Sequence, residues 1–309
     1  MTDLAASVHA RLLARAKEQG TEFQRVLTRY GLERFLYRLS HTPGREALWL
    51  KGALLFDLWF DAPHRPTRDA DFLGVGMDDE ATLHAAVAAA CAVPAEDGMS
   101  FDARSIRIAP IRESAHYSGL RVSLLGHLGR ARCPVQLDVG IGDAVTPGPE
   151  EAAYPTLLGD MPAPRLRVYP RATVMAEKLE AIVLLGMANS RMKDYYDLLA
   201  LAREGAVGAG LLTDALVATL GRRRTPLPHG EPLGLTVDFG NDRGKQQQWR
   251  AFLRKANLQA PELPAVIDEL RVKVLPPLMR ALQQLRTAAA GPSPSVTPPA
   301  STRTRRSNP

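Results

Sequence analysis

Apolar positions in the first forty residues recur at helical spacing. Phe23, Val26, Leu27 and Tyr30 mark one face, and Thr21 with Gln24, following Gly20, offers a capping box. Arg25, Arg29, Arg34 and Arg38 do not share a face at ~100° per residue. They read as solvated positions, not as a nucleic-acid-binding stripe.

The period then shortens. Residues 48–50 form a brief apolar strand that breaks at Gly52, and residues 53–60 resume as an apolar helix. Residues 67–75 read as a strand and 81–92 as an alanine-rich helix, with further strands at 104–111 and 120–125. Residues 134–140 alternate cleanly: Val135, Leu137 and Val139 fall on one face, Gln136, Asp138 and Gly140 on the other. After Pro170 the period is helical again, at 172–185, 191–203 and 211–220. A Gly/Pro/Arg-rich link spans 221–234, and helices follow at 246–255, 265–273 and 276–285.

This order predicts an α/β (α+β) architecture. Residues 1–150 would form a lobe with a mixed sheet and a helical N-terminal extension, and residues 151–288 a helical C-terminal lobe. Residues 289–309 would be a disordered tail, since everything from Gly291 is rich in Pro, Ser, Thr and Arg.

Composition narrows the class. The 309 residues are 45% hydrophobic and 23% charged, which excludes a wholly disordered or collagen-like chain. Two cysteines, Cys91 and Cys133, cannot build a disulfide framework or a four-ligand zinc site. The seven histidines are scattered. The N-terminus is interrupted by charges and lacks a signal-peptide core, and the apolar run 81–95 is too short to span a bilayer. The expectation is a reduced, cytoplasmic protein with no membrane partner. The 39 basic and 33 acidic residues leave a net charge of +6, which permits a polyanionic partner without demanding one.

Five places could carry chemistry. Asp69 and Asp71 stand two apart in an extended segment, so both carboxylates project to one side. Such a pair repels unless a cation intervenes, and Mg²⁺ favours carboxylate oxygens together with substrate phosphates. Lys51-Gly52-Ala53 joins a strand to a helix. This is either a simple turn or a glycine that lets backbone approach a phosphate at a helix N-terminus. Asp138 faces away from its apolar neighbours. It either meets water at a sheet edge or converges with Asp69 and Asp71, and two metals on three carboxylates can activate a hydroxyl. Lys178 lies within the apolar face of its helix, beside Val174, Met175, Ala181 and Ile182. It must snorkel out or meet an anion. Arg191, Lys193, Asp194 and Asp197 crowd one turn after a polar break. Lys193 and Asp197 could be an ordinary i,i+4 pair.

Taken together these motifs resemble the AbiEii/AbiGii-type nucleotidyltransferases. Leu50-Lys51-Gly52-Ala53, then Arg65, Thr67 and Asp69-Ala70-Asp71-Phe72, resemble that family's opening motif. Leu137-Asp138-Val139-Gly140 is similar to its third-carboxylate strand. Glu177-Lys178-Leu179 and Arg191-Met192-Lys193-Asp194 through Asp197-Leu198 resemble its C-terminal motifs. Ala53 stands where Gly or Ser is usual, and fifteen residues, 54–68, separate it from Asp69, a longer spacing than the general pattern.

The resemblance implies transfer of a nucleoside monophosphate from an NTP co-substrate, with Mg²⁺ (or Mn²⁺), to an RNA acceptor, foremost the tRNA acceptor end. It implies a toxin of a toxin–antitoxin or phage-defence pair, with a cognate antitoxin encoded nearby. Asp69, Asp71 and Asp138 would hold metal. Lys178 would steady the triphosphate, and Asp194 and Asp197 would join the catalytic set. Lys51, Gly52, Ala53, Arg65, Thr67, Arg191 and Lys193 would bind substrate. The alternatives are a small-molecule nucleotidyltransferase, such as one modifying an antibiotic, and an inactive binding module of the same fold. On the RNA reading, Arg222, Arg223 and Arg224, with Arg303, Arg305 and Arg306, would form a basic periphery around the acidic centre.

Overall fold

The structure is a computed structural model that describes residues 4–61, 64–77, 79–111 and 119–290. Most of the expected tail, including Arg303, Arg305 and Arg306, lies outside the described residues. The first elements are α1 (Leu4–Glu18), α2 (Phe23–Leu39), α3 (Gly44–Ala47) and β1 (Leu48–Lys51), then a 3₁₀ turn (Gly52–Leu55) and α4 (Phe56–Trp59). They are followed by β2 (Ala70–Gly74), α5 (Glu80–Ala92), β3 (Met99–Pro110), β4 (Gly119–Leu128), β5 (Ala131–Ile141), β6 (Glu150–Ala153) and β7 (Arg165–Val168). The rest is helical: α6 (Arg171–Leu185), α7 (Met192–Glu204), α8 (Ala209–Arg223), α9 (Val237–Asn241), α10 (Arg243–Ala256) and α11 (Leu263–Ala290).

The seven strands form one mixed sheet in the order β3-β4-β5-β2-β1-β7-β6. β2 runs parallel to β5, and β1 parallel to β7. The other neighbours are antiparallel. One face is the core. Leu50, Phe72, Leu137 and Val139 are fully buried on it, and α2 packs there against β5. A Cβ at Gly31 would stand 2.3 Å from the Cys133 Sγ, so the helix reaches the strand only because that position has no side chain. Burying each large apolar side chain contributes roughly 1.5–3 kcal/mol. The opposite face is left for polar groups, as the 134–140 alternation predicts.

Several expectations are corrected. α2 is capped from Glu22 with no side-chain hydrogen bond, so Thr21 and Gln24 do not form a capping box. Arg34 and Arg38 are buried, not solvated. Arg38 makes a bidentate pair with Asp97 at 2.6 and 3.0 Å and donates to the Met99 carbonyl. Arg34 pairs with Glu33 and stacks over Tyr37. α11 runs unbroken through Pro276 and Pro277. Those prolines lack the donors that would reach carbonyls four residues back. Burial of Val274, Pro277, Leu278, Ala281 and Leu282 on one side offsets the loss. The sheet also takes β6 and β7 from beyond residue 150. Both are four residues long, too short to register as a period. No helix among the described residues is long and apolar enough to cross a membrane.

Candidate active site

A row of four charged residues crosses the polar face of the sheet. Lys51 on β1 pairs in register with Asp71 on β2, Asp71 with Asp138 on β5, and Asp138 with Arg121 on β4. Partners in register share a face, so two adjacent carboxylates are flanked by a cation at each end. Asp138 is held by Arg121 through two hydrogen bonds, Nε to Oδ1 at 2.8 Å and Nη2 to Oδ2 at 2.7 Å. Asp69 lies just before β2, and its Oδ1 accepts from the Thr67 hydroxyl at 2.7 Å.

Asp71 is the electrostatically strained member. Burial first, and then the charge of Asp69, pushes its pKa above the ordinary carboxylate value. Asp138 adds to this, while Lys51 and Lys193 oppose it. Gly52 fits tightly against the same carboxylate: its φ is +72°, and a Cβ there would stand 2.0 Å from the Asp71 Oδ2. Gly52 is therefore fixed both by conformation and by closeness to Asp71. Ala53 is buried in the following 3₁₀ turn.

Among the described residues, no three His, Cys, Asp or Glu side chains are gathered in a way that would hold a metal ion. Asp69 and Asp71 do have the chemistry of a hard divalent-cation site, because a cation offsets both the burial and the repulsion that raise Asp71. Asp138 stands beside them with both oxygens engaged by Arg121.

Lys51 does not extend toward open space. Its Nζ donates to Asp143 Oδ2 at 2.7 Å and to Glu177 Oε1 at 3.1 Å, and it lies over the Tyr169 ring. Arg223 of α8 closes the same cluster on Asp143, Glu177 and Glu180 at 2.9–3.0 Å. Burial would raise the Asp143 pKa, but Lys51 and Arg223 reverse that and hold it well below the ordinary range. Burial dominates for Glu177, whose pKa is raised. Arg223 is thus an interior tie between α8, α6 and the end of β5, and not part of a basic periphery. Arg222 donates to the Gly142 carbonyl.

A second charged cluster joins α6 and α7. Lys178 Nζ donates to Asp194 Oδ1 at 3.0 Å and Asp197 Oδ2 at 2.6 Å. Arg65 grips Asp197 through Nε and Nη2 at 2.8 and 2.9 Å, and Arg191 Nε reaches Asp194 Oδ2 at 2.6 Å. His64 meets Asp197 at 2.9 Å and stacks on Phe56 with ring centroids 4.2 Å apart. Asp194 and Asp197 are buried. Burial opposes their ionisation, yet Lys178 and the arginines hold both pKa values low. Burial would lower the Lys178 pKa, but Asp197 and Asp194 raise it instead. The anion that Lys178 required is supplied by its own fold, and Lys193 and Asp197 are not an ion pair.

Beside this cluster a groove of about 520 Å³ opens between the start of α7 and α10. Arg65, with Arg191 and Lys193 at the start of α7, lines it together with Gln248, Ala251 and Phe252 of α10. Lys193 is exposed, and its charge reaches Asp71. Arg65, also in the lining, stands four residues before Asp69, so the groove adjoins the segment that carries the carboxylate pair.

Residues 34–284 match the family described as "Nucleotidyl transferase AbiEii toxin, Type IV TA system". The chain belongs to the AbiEii nucleotidyltransferase toxin family. No curated protein sequence matches it at a significant level. Among solved structures it is similar to MenT4, a nucleotidyltransferase toxin of Mycobacterium tuberculosis H37Rv. The identity is 19% over 92% of this chain and 99% of that one, with a TM-score of 0.51. JHP933 from Helicobacter pylori shares 16% identity over 83% of this chain and 93% of that one, with a TM-score of 0.43. The MenT4 likeness bears on the fold: an α/β nucleotidyltransferase-like fold around a mixed sheet.

In this AbiEii chain the quoted motifs meet in two adjoining clusters and a groove. Sequence reasoning missed Arg121, Asp143, Arg223 and His64 as members of those clusters. Asp143 and Arg223 lie 80 residues apart, and no local pattern links them. Arg121 had a usable signal. It is an exposed-parity charge on the strand that pairs with the Asp138 strand, and it becomes visible once register is known.

Proposed function

We propose that this AbiEii-family chain moves a nucleoside monophosphate from an NTP to an RNA acceptor, foremost the tRNA acceptor end. It would act as the toxin of a pair whose antitoxin restrains it. The observation that carries this reading is the Asp69–Asp71 carboxylate pair, Asp71 in register with Asp138 and Asp69 four residues after Arg65, which lines a groove with Arg191 and Lys193.

Asp69 and Asp71 would hold Mg²⁺ or Mn²⁺, which when bound neutralises charge on the phosphates and on the leaving pyrophosphate. The acceptor hydroxyl oxygen forms a bond to the α-phosphorus, and the bond to pyrophosphate breaks. Asp138, beside Asp71, would take the hydroxyl proton on a carboxylate lone pair outside its two bonds to Arg121. Lys193 and Arg191 attract the triphosphate from the groove side. Gly52 keeps the approach to Asp71 open, and Thr67 orients Asp69. Lys178 acts indirectly, fixing Asp194 and Asp197 so that α7 presents Arg191 and Lys193. Lys51 and Arg223 hold α6 and α8 against the sheet.

The test is incubation with each α-³²P-labelled NTP and total RNA, using wild type and Asp69→Ala. Label on RNA from wild type alone, with growth inhibition lost in Asp69→Ala, is the expected outcome. Growth inhibition that survives Asp69→Ala overturns the catalytic account. Label that appears only on a small molecule replaces RNA as the acceptor.

A further inference from the structure

We infer that the groove between the start of α7 and α10 is a nucleobase subsite, with Phe252 as the stacking surface and Gln248 reading the base edge. The inference rests on the nucleotidyltransferase reading and deepens it by assigning where the base of the NTP lies. The two sides of the groove differ in chemistry. The start of α7 carries Arg191 and Lys193, with Arg65 tied to α7 through Asp197, and α10 carries Phe252, Ala251 and the amide of Gln248. A nucleotide is divided in the same way, into an anionic chain and a flat apolar ring with a hydrogen-bonding edge. The volume of about 520 Å³ falls in the ordinary range for a small-molecule site.

The groove also has a direction. Arg65 lines it and stands four residues before Asp69 on the segment that leads into β2, so phosphates drawn to this cationic lining lead toward the carboxylates and leave the base against α10. Phe252 is fixed for this task. Its ring packs edge-on to Tyr196 at 5.9 Å and tilts against the buried Trp249 at 5.9 Å, so little rotamer freedom remains to be lost on stacking. Half-buried, it keeps part of its surface for the groove. Gln248 is exposed on the same side. Its amide offers both a donor and an acceptor, the pair needed to read a base edge.

The experiment is isothermal titration of the full chain with the four MgNTPs and with magnesium tripolyphosphate, which has the anionic chain but no base. Phe252→Leu keeps apolar volume at the position and guards against a folding defect, which circular dichroism and thermal melting check. It is expected to weaken MgNTP binding by about tenfold, the lower part of what base–aromatic stacking provides, and to leave tripolyphosphate binding unchanged. Gln248→Leu is expected to change the rank order of the four NTPs. Equal weakening of NTP and tripolyphosphate, or unchanged NTP affinity with unchanged rank order, overturns the subsite and leaves the transferase reading standing. A wild-type chain that neither binds MgNTP nor transfers label removes both.

Discussion

Asp71 and Asp138 stand directly opposite each other on the parallel pair β2–β5, and the fold pairs Asp138, not Asp71, with an arginine. Arg121 takes both oxygens of Asp138. Asp71 keeps a raised pKa from burial and from Asp69. A carboxylate whose pKa is raised by folding binds its proton more tightly in the fold than in the unfolded chain. Its contribution is fully present below the ordinary value of 3.8 and is lost as pH rises through the raised value. The ionised form therefore destabilises the fold on the alkaline side. Asp71→Asn is expected to raise Tm there, by about 2–4 °C for each kcal/mol of repulsion relieved. Mg²⁺ should raise the Tm of wild type, EDTA should reverse that, and Asp71→Asn should respond to neither. Differential scanning calorimetry across pH, with and without Mg²⁺, checks both. A Tm for Asp71→Asn below wild type at alkaline pH would refute the strain.

Arg121 offsets the charge of Asp138, which stands beside the proposed ion site on Asp69 and Asp71. Its side chain is 40% exposed, and a pair so solvated is worth no more than about 1 kcal/mol. Arg121→Gln should therefore tighten Mg²⁺ binding modestly, by up to about fivefold, measured by isothermal titration. Weaker binding would instead assign Arg121 the task of orienting Asp138 for the ion.

Glu33 offers a pH signature remote from the site. Burial pushes its carboxyl up to about 7, against the opposing pull of Arg34 and of the Leu157 N–H that it accepts at 2.6 Å. The group is raised, so the stability it contributes is intact below 4.5 and falls away as pH climbs from there through about 7. Glu33→Gln should flatten the stability profile in that window, as measured by urea unfolding at a series of pH values. An unchanged slope would place the titration elsewhere.

The strands that carry the candidate site were legible because their side chains alternate. Val135, Leu137 and Val139 face the core and Asp138 faces away, as a period of two requires. What sequence could not supply was pairing. Nothing in the chain says that position 71 lies opposite 138, or that 121 lies beyond it. The arginines show the same limit. Arg34 and Arg38 looked solvated because burial of a guanidinium depends on a distant acid, and Asp97 lies 59 residues from Arg38. Lys178 was legible as a cation on an apolar face. Its partners, 16 and 19 residues on, depend on how α7 folds back. Helix α11 defied its prolines because tertiary packing outweighs local propensity.

Gly52 and Asp71 should behave as one unit in a double-mutant cycle. A side chain at Gly52 meets two costs. A φ of +72° penalises an L-residue by about 1–2 kcal/mol, and the added Cβ collides with a carboxylate whose own backbone is fixed in β2. Gly52→Ala alone should therefore cost more than the conformational penalty. In a chain already carrying Asp71→Gly, the collision is gone and only the φ cost remains. The two substitutions should couple by about 0.5–3 kcal/mol, as contacting residues do, when stability is read by denaturant unfolding with circular dichroism. Strict additivity would mean that Gly52 is needed for its backbone conformation alone and that its closeness to Asp71 is incidental. Coupling would show that the chain places a glycine there so that the carboxylate can sit against the β1 turn, which is where the proposed chemistry needs it.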